Sequence, residues 1–181
     1  IFNTYLSYIN KMARLITIEG PGGSGKTTLG YELARVLPKS VCYDLDDYID
    51  PVTSALGLDN PQTYQKIGES LGDFYRTIEK DLDEGRDVIL PYWSYSADIV
   101  EPFAKKLDEL SSNGHKVSHF MIESPLERCI RGDSQREKNL GSAHISDIWG
   151  RTYKGIHGNH ILVPNGDYGA LERIEGHLNY L

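Results

Sequence analysis

The chain has 181 residues, 39% of them hydrophobic and 25% charged, with a formal charge of −7. That is the size and make-up of one folded domain, and it excludes a disordered or fibrous chain. So acidic a chain also argues against tight non-specific binding to nucleic acid or a membrane surface, because its mean field repels phosphate. The acid is concentrated: Cys42 to Leu110 holds 16 acidic residues against 6 basic ones, a net of −10, whereas Lys11 to Val41 carries +3 and Glu123 to Lys154 carries +1. Cys42 and Cys129 lack ligand-like spacing and read as reduced thiols of a cytoplasmic protein. No apolar run approaches the roughly 18 residues of a membrane span.

Residues 1–11 lack a signal peptide's basic start and cleavage site, and Met12 directly precedes the first strand, so they read as an extension outside the fold. Arg14–Glu19 is a β-branched apolar run, read as a buried strand. After a glycine-rich turn, Leu29, Leu33 and Val36 recur at helical spacing until Pro38. Val41–Asp44 reads as a second strand. Asn60-Pro61 caps a long helix with Ile67, Leu71, Phe74, Ile78 and Leu82 on one face and Gly85 at its end. Val88–Leu90 is a third strand. A helix over 97–113 carries Val100, Phe103, Leu107 and Leu110. Val117–Ile122 is a fourth strand, and Ser124-Pro-Leu-Glu127 reads as a capping box. Residues 132–145 are polar and read as a mobile loop, with a short helix from Ile145 to Tyr153. Ile161–Val163 is a fifth strand, and Leu171, Ile174 and Leu178 line a last helix. Strands alternating with helices predict an α/β fold of three layers: a five-stranded parallel sheet with helices on both faces. One domain over 12–181, with 132–155 as a lid, is the simplest organisation.

Gly20-Pro-Gly-Gly-Ser-Gly-Lys26-Thr27 fits G-x-x-x-x-G-K-[ST] at every fixed position, between a strand and a helix. The glycines let backbone N–H groups turn inward around phosphate oxygens, where a Cβ would obstruct them. Gly22, Gly23, Ser24, Gly25, Lys26, Thr27 and Thr28 are therefore the expected phosphate-binding residues. Lys26 brings a positive charge to the β- and γ-phosphates, and the Thr27 hydroxyl is a ligand for Mg²⁺. The motif identifies the chain as similar to the P-loop NTPase superfamily. The guanine-reading N-K-x-D motif is absent, and Pro91 stands where a Walker-B aspartate would follow strand three. Both features turn the reading from GTPase switches and ATPase motors towards the small phosphotransferase kinases.

Asp44-Leu-Asp46-Asp47-Tyr48 is a second candidate site. In a doubly wound sheet the strand C-terminal ends share the ligand rim, so an acidic turn after strand two falls near the γ-phosphate. Kinases acting on hydroxyls need a carboxylate there to take the proton and orient the nucleophile. The segment resembles polynucleotide 5′-kinases, shikimate and gluconate kinases and uridine kinases, which covers the chain from Arg14 to about Lys154. The resemblance implies that Asp46 is the catalytic carboxylate and that Asp44 assists Mg²⁺, with Asp47 beside the acceptor. HKVSHFMIESPLERCIRGDSQR, from His115 to Arg136, is similar to the strand, helix and arginine-bearing lid of polynucleotide-kinase-like proteins. Gly132 stands where their lid arginine is expected, with Arg131 one place earlier. The arginine that often follows D-D-Y is absent, which argues against a nucleic-acid backbone contact.

Arg131 and Arg136 are the candidates for stabilising the transferring phosphoryl group, and Arg128 for holding the nucleotide. Tyr92 and Trp93, directly after strand three, read either as a stacking wall for a ring-bearing acceptor or as rim packing. The expected activity is ATP-dependent, Mg²⁺-requiring transfer to the hydroxyl of a small molecule, by a monomer or homodimer in the cytoplasm. The alternatives are a polynucleotide 5′-hydroxyl kinase and a non-catalytic nucleotide-binding regulator. The acidic middle of the chain disfavours a nucleic-acid partner.

Overall fold

A computed structural model describes residues 13–57, 60, 62–92, 97–137, 139–154, 161–164 and 169–179, without the side chains of Tyr64, 97–104 and Lys154. Residues 1–11, Trp93 and the side chains of Val100 and Phe103 lie outside the described residues. In chain order the elements are β1 (Arg14–Glu19), α1 (Lys26–Val36), β2 (Ser40–Cys42), α2 (Asp46–Leu56), α3 (Gln62–Asp83), β3 (Asp87–Tyr92), α4 (Ala97–Ser112), β4 (Lys116–Glu123), α5 (Leu126–Ser134), α6 (Ser142–Lys154), β5 (Ile161–Pro164) and α7 (Gly169–Asn179).

The strands make one parallel sheet in the order β2-β3-β1-β4-β5. All six residues of β1 are buried, because a parallel sheet covered by helices on both faces has no wet side. Alternation along the strands then sorts the core. Leu15, Val88, Leu90 and Tyr92 point to one face, against Phe74, Ile78 and Leu82 of α3 and Leu107 and Leu110 of α4. Ile16, Ile18, Ile89, Phe120 and Ile122 point to the other, against Leu29 and Leu33 of α1 and Ile174 and Leu178 of α7. Each such side chain, fully buried, contributes about 1.5–3 kcal/mol. At the N-terminal edge of the sheet the buried Arg14 joins three elements: Nε and Nη2 donate to Asp87 Oδ2 at 3.0 and 2.5 Å, and Nη1 donates to the Leu178 carbonyl at 2.9 Å.

Three expectations need correction. Strand two ends at Cys42, and the acidic segment is the first turn of a helix, α2, rather than an open turn. That helix forms despite Pro51 because Leu45, Tyr48, Ile49 and Val52 share one face and pack into the α3 core, with the Tyr48 ring 4.7 Å from that of Phe74. Second, α5 runs to Ser134 and α6 starts at Ser142, so only 135–141 connects them. Third, no capping box forms at α5: Pro125 is the N-cap, and Ser124 Oγ is buried without a partner among the described residues.

Candidate active site

The cradle follows from two left-handed glycines. Gly23 (φ 74°) and Gly25 (φ 86°) adopt backbone that L side chains rarely take. A turn bond from Ser24 N to the Pro21 carbonyl, 3.2 Å, closes the loop. Gly25 is the N-cap of α1 and offers no side chain to its amides, so the helix's positive end faces the cradle. Two further glycines serve packing. A Cβ on Gly22 would lie 2.8 Å from Ile145 Cδ1 of α6, and a Cβ on Gly30 would lie 2.5 Å from Pro91 Cγ. Gly30, with no Cβ, thus lets α1 settle against Pro91 of β3.

Lys26, Asp44, Asp46 and Arg136 form one electrostatic cluster. Burial and then the Arg136 charge push the Lys26 ammonium below its ordinary range, while Asp46 and Asp44 pull it back. Much of Asp46 as a residue is open to solvent, yet its carboxyl sits deep enough that desolvation, then Asp44, raises its pKa, against the opposing pull of Lys26 and Arg136. The Asp46 amide donates to Asp44 Oδ1 at 3.1 Å, which fixes the Asp44 carboxylate at the α2 entrance. Asp47 is raised by desolvation, Asp44 and Asp50, with no cation among its causes, and so lies to the side of the cluster. Thr27 and Asp44 offer a hydroxyl and a carboxylate, hard oxygen donors that suit a Mg²⁺ carried in on phosphates with its own water.

A cleft of about 1030 Å³ opens over the cradle between α1, α5 and α7. Gly23, Ser24, Gly25 and Thr28 line it on one side, and Arg128, Arg131 and Arg136 on the other, so these residues share one cavity. Its far end is Ile122, Pro125, Ala170 and Leu171, an apolar slot beside Glu32 and Glu127. Those slot residues escaped the sequence reading, since single apolar and acidic residues spread over a strand, a connection and three helices carry no local signature. Tyr92 is no open wall: it is 7% exposed, packs in the core, and its hydroxyl donates to Glu19 Oε1. Burial, then Glu19, raises its pKa. Strand alternation puts Tyr92 on the inward face with Val88 and Leu90.

Helix α6 is docked on the sheet end. Trp149 Nε1 donates to the Ser124 carbonyl at 2.8 Å, and the Tyr153 hydroxyl donates to the Ile122 carbonyl at 2.6 Å and accepts from Ser124 N at 2.7 Å. Ile145 and Ile148 of α6 are fully buried. Gly132 of α5 meets the cradle backbone directly: a Cβ there would lie 2.3 Å from the Gly23 carbonyl oxygen. An arginine at 132 therefore has no room, and Arg131 and Arg136 flank the contact.

A five-stranded parallel sheet with a glycine cradle between β1 and α1 is the P-loop kinase fold. No family model matches the chain. It is 25% identical over 135 residues to the 5-hmdU DNA kinase of Pseudomonas phage PaMx11, covering 68% of this chain and 69% of that one. It is 32% identical over 68 residues to uridine-cytidine kinase C of Dictyostelium discoideum, 38% of this chain but only 12% of that protein's length. A sugar kinase from a Janibacter species superposes with a TM-score of 0.65 at 17% identity, over 92% of this chain and 95% of the other. The structural likeness carries the fold, and both sequence relatives are named as kinases. Among the described residues no helix is long and apolar enough to cross a membrane.

Proposed function

We propose that the protein transfers the γ-phosphate of ATP to the hydroxyl of a small-molecule acceptor, with Asp46 as the base. The observation that supports this reading is the electrostatic coupling of the Asp46 carboxyl to Lys26 and Arg136. The cradle amides and Lys26 hold the β- and γ-phosphates. Asp46 accepts the acceptor's hydroxyl proton as that oxygen bonds to the γ-phosphorus and the bond to the β–γ bridging oxygen breaks, leaving ADP. Burial and the Asp44 charge raise the Asp46 carboxyl, and a carboxylate of raised pKa is the stronger base. Arg131 and Arg136 stabilise charge on the equatorial oxygens, and the docked α5–α6 segment excludes water. Thr27 and Asp44 would hold Mg²⁺, which would supply charge that neutralises the phosphates.

A second reading has a specific support. The likeness to a 5-hmdU DNA kinase spans two thirds of both chains, and it favours an acceptor hydroxyl carried on a nucleobase within DNA. The net charge of −10 over 42–110 weighs against that strand binding tightly. Transfer of labelled γ-phosphate separates the two. The panel is nucleosides including 5-hydroxymethyl-2′-deoxyuridine, sugars, and duplex DNA with and without hydroxymethyluracil. Label on a free nucleoside or sugar supports the first reading. Label only on modified DNA, weakened by salt, supports the second. ATP binding with no labelled product on any acceptor sinks both.

A further inference from the structure

Asp133 has no part in the chemistry above, yet it is 2% exposed and sits against the cradle. Its Oδ2 accepts from the amides of Leu140 and Gly141, at 2.9 and 3.0 Å. Its Oδ1 is buried without a partner among the described residues. A carboxylate is costly to bury, so one held by two amides among the described residues calls for a reason beyond packing. Its surroundings supply one. Its own amide nitrogen would lie 2.8 Å from a Cβ on Gly23, so it touches the cradle backbone. Its carbonyl accepts from the amide of Arg136, 2.9 Å away. Its side chain holds the end of the same loop, where Gly141 (φ 85°) launches α6 through the bond from Ile145 N to the Gly141 carbonyl. Ile145 in turn packs on Gly22. Asp133 therefore grips both ends of the loop that carries Arg136, from a point fixed to the phosphate cradle.

We propose that Asp133 is a positioning residue that sets Arg136 over the γ-phosphate by clamping the 135–141 loop to the cradle. The proposal rests on the reading of that cradle as a triphosphate site, but not on any acceptor. Its loss acts through Arg136, so the two residues share one effect.

The test is a double-mutant cycle read by binding rather than turnover, in the full chain. Affinities for ADP and for the non-hydrolysable β,γ-imido analogue of ATP are measured in wild type, Asp133→Ala, Arg136→Ala and the double variant. The wild type is expected to prefer the triphosphate. Each single variant should lose roughly ten- to hundredfold of that preference, the worth of a charge-assisted bond, with ADP affinity nearly unchanged. The double variant should lose no more than either single one. Losses that multiply in the double variant would overturn the proposal, because a merely structural aspartate acts independently of Arg136. Asp133→Asn keeps a carbonyl oxygen able to accept both amide bonds and should retain the preference; an Asn variant as impaired as Ala overturns the clamp. Should Asp133→Ala not fold, hydrogen exchange in the wild type decides. The Leu140 and Gly141 amides should exchange more slowly with the triphosphate analogue than with ADP, and equal rates overturn the coupling. A wild type that binds neither nucleotide removes the cradle reading itself, and the proposal with it.

Discussion

The close approach of Gly132 to Gly23 makes a quantitative prediction for Gly132→Ala. The added Cβ would lie 2.3 Å from the Gly23 carbonyl oxygen, whereas ordinary contact begins at 3.4 Å, so the two backbones must part by about 1 Å. Both partners are main chain, and neither has a rotamer to absorb the strain. Such overpacking costs about 1–3 kcal/mol. At about 2–4 °C per kcal/mol for a domain of this size, the melting temperature should fall by about 2–12 °C. The larger effect is on function, since α5 carries Arg131 and precedes Arg136: a displacement near 1 Å costs about a hundredfold in rate. The assay is differential scanning calorimetry together with transfer of labelled phosphate. Gly176→Ala on α7, where nothing lies within 4 Å of the added Cβ, is the control and should gain about 0.5–1 kcal/mol from helix propensity. A Gly132→Ala protein that gains stability as Gly176→Ala does, with turnover intact, would refute the packing argument.

Lys26→Met should raise the melting temperature of the nucleotide-free protein at neutral pH and abolish the further rise that ATP brings. Burial holds the Lys26 pKa low, so the folded state bears a cost for the charged form; that cost fades as pH climbs through the lowered pKa towards 10.5. The Asp46 carboxyl is raised, so its contribution is full at low pH and is lost as pH rises through the folded value, and Asp46→Asn should also melt higher at neutral pH. Calorimetric scans across pH check both signs. Asp87→Ala leaves the Arg14 guanidinium, 3% exposed, without its carboxylate, and should cost about 3–5 kcal/mol, or about 6–20 °C by thermal denaturation, with nucleotide affinity unchanged because the pair lies at the far end of the sheet.

The buried strands and the cradle were legible because each writes a local signature: β-branched runs for Arg14–Glu19 and Val88–Leu90, and fixed glycine and lysine spacing for Gly20–Thr27. Helix α2 was hidden by three aspartates and Pro51, which favour turns, although Leu45, Tyr48, Ile49 and Val52 already stood at helical spacing. Tyr92 misled because β3 runs two residues past the apolar triplet, so strand alternation, not its place after Leu90, decides where its ring goes. Ser124 looked like a cap, but its backbone is committed to Trp149 and Tyr153 of α6, partners 25 or more residues on. The role of Asp133 lies in contacts with Leu140, Gly141 and Gly23, and an acidic residue in a polar stretch shows none of them in advance.

The central claim is that Asp46 takes the acceptor's proton at a working phosphate cradle. Its most direct test compares wild type and Asp46→Asn for transfer of labelled phosphate to the acceptor that the wild type labels, with triphosphate affinity measured on the same preparations. Transfer should fall by about 10²–10⁴-fold with affinity intact. An Asp46→Asn protein that transfers phosphate at the wild-type rate would contradict it.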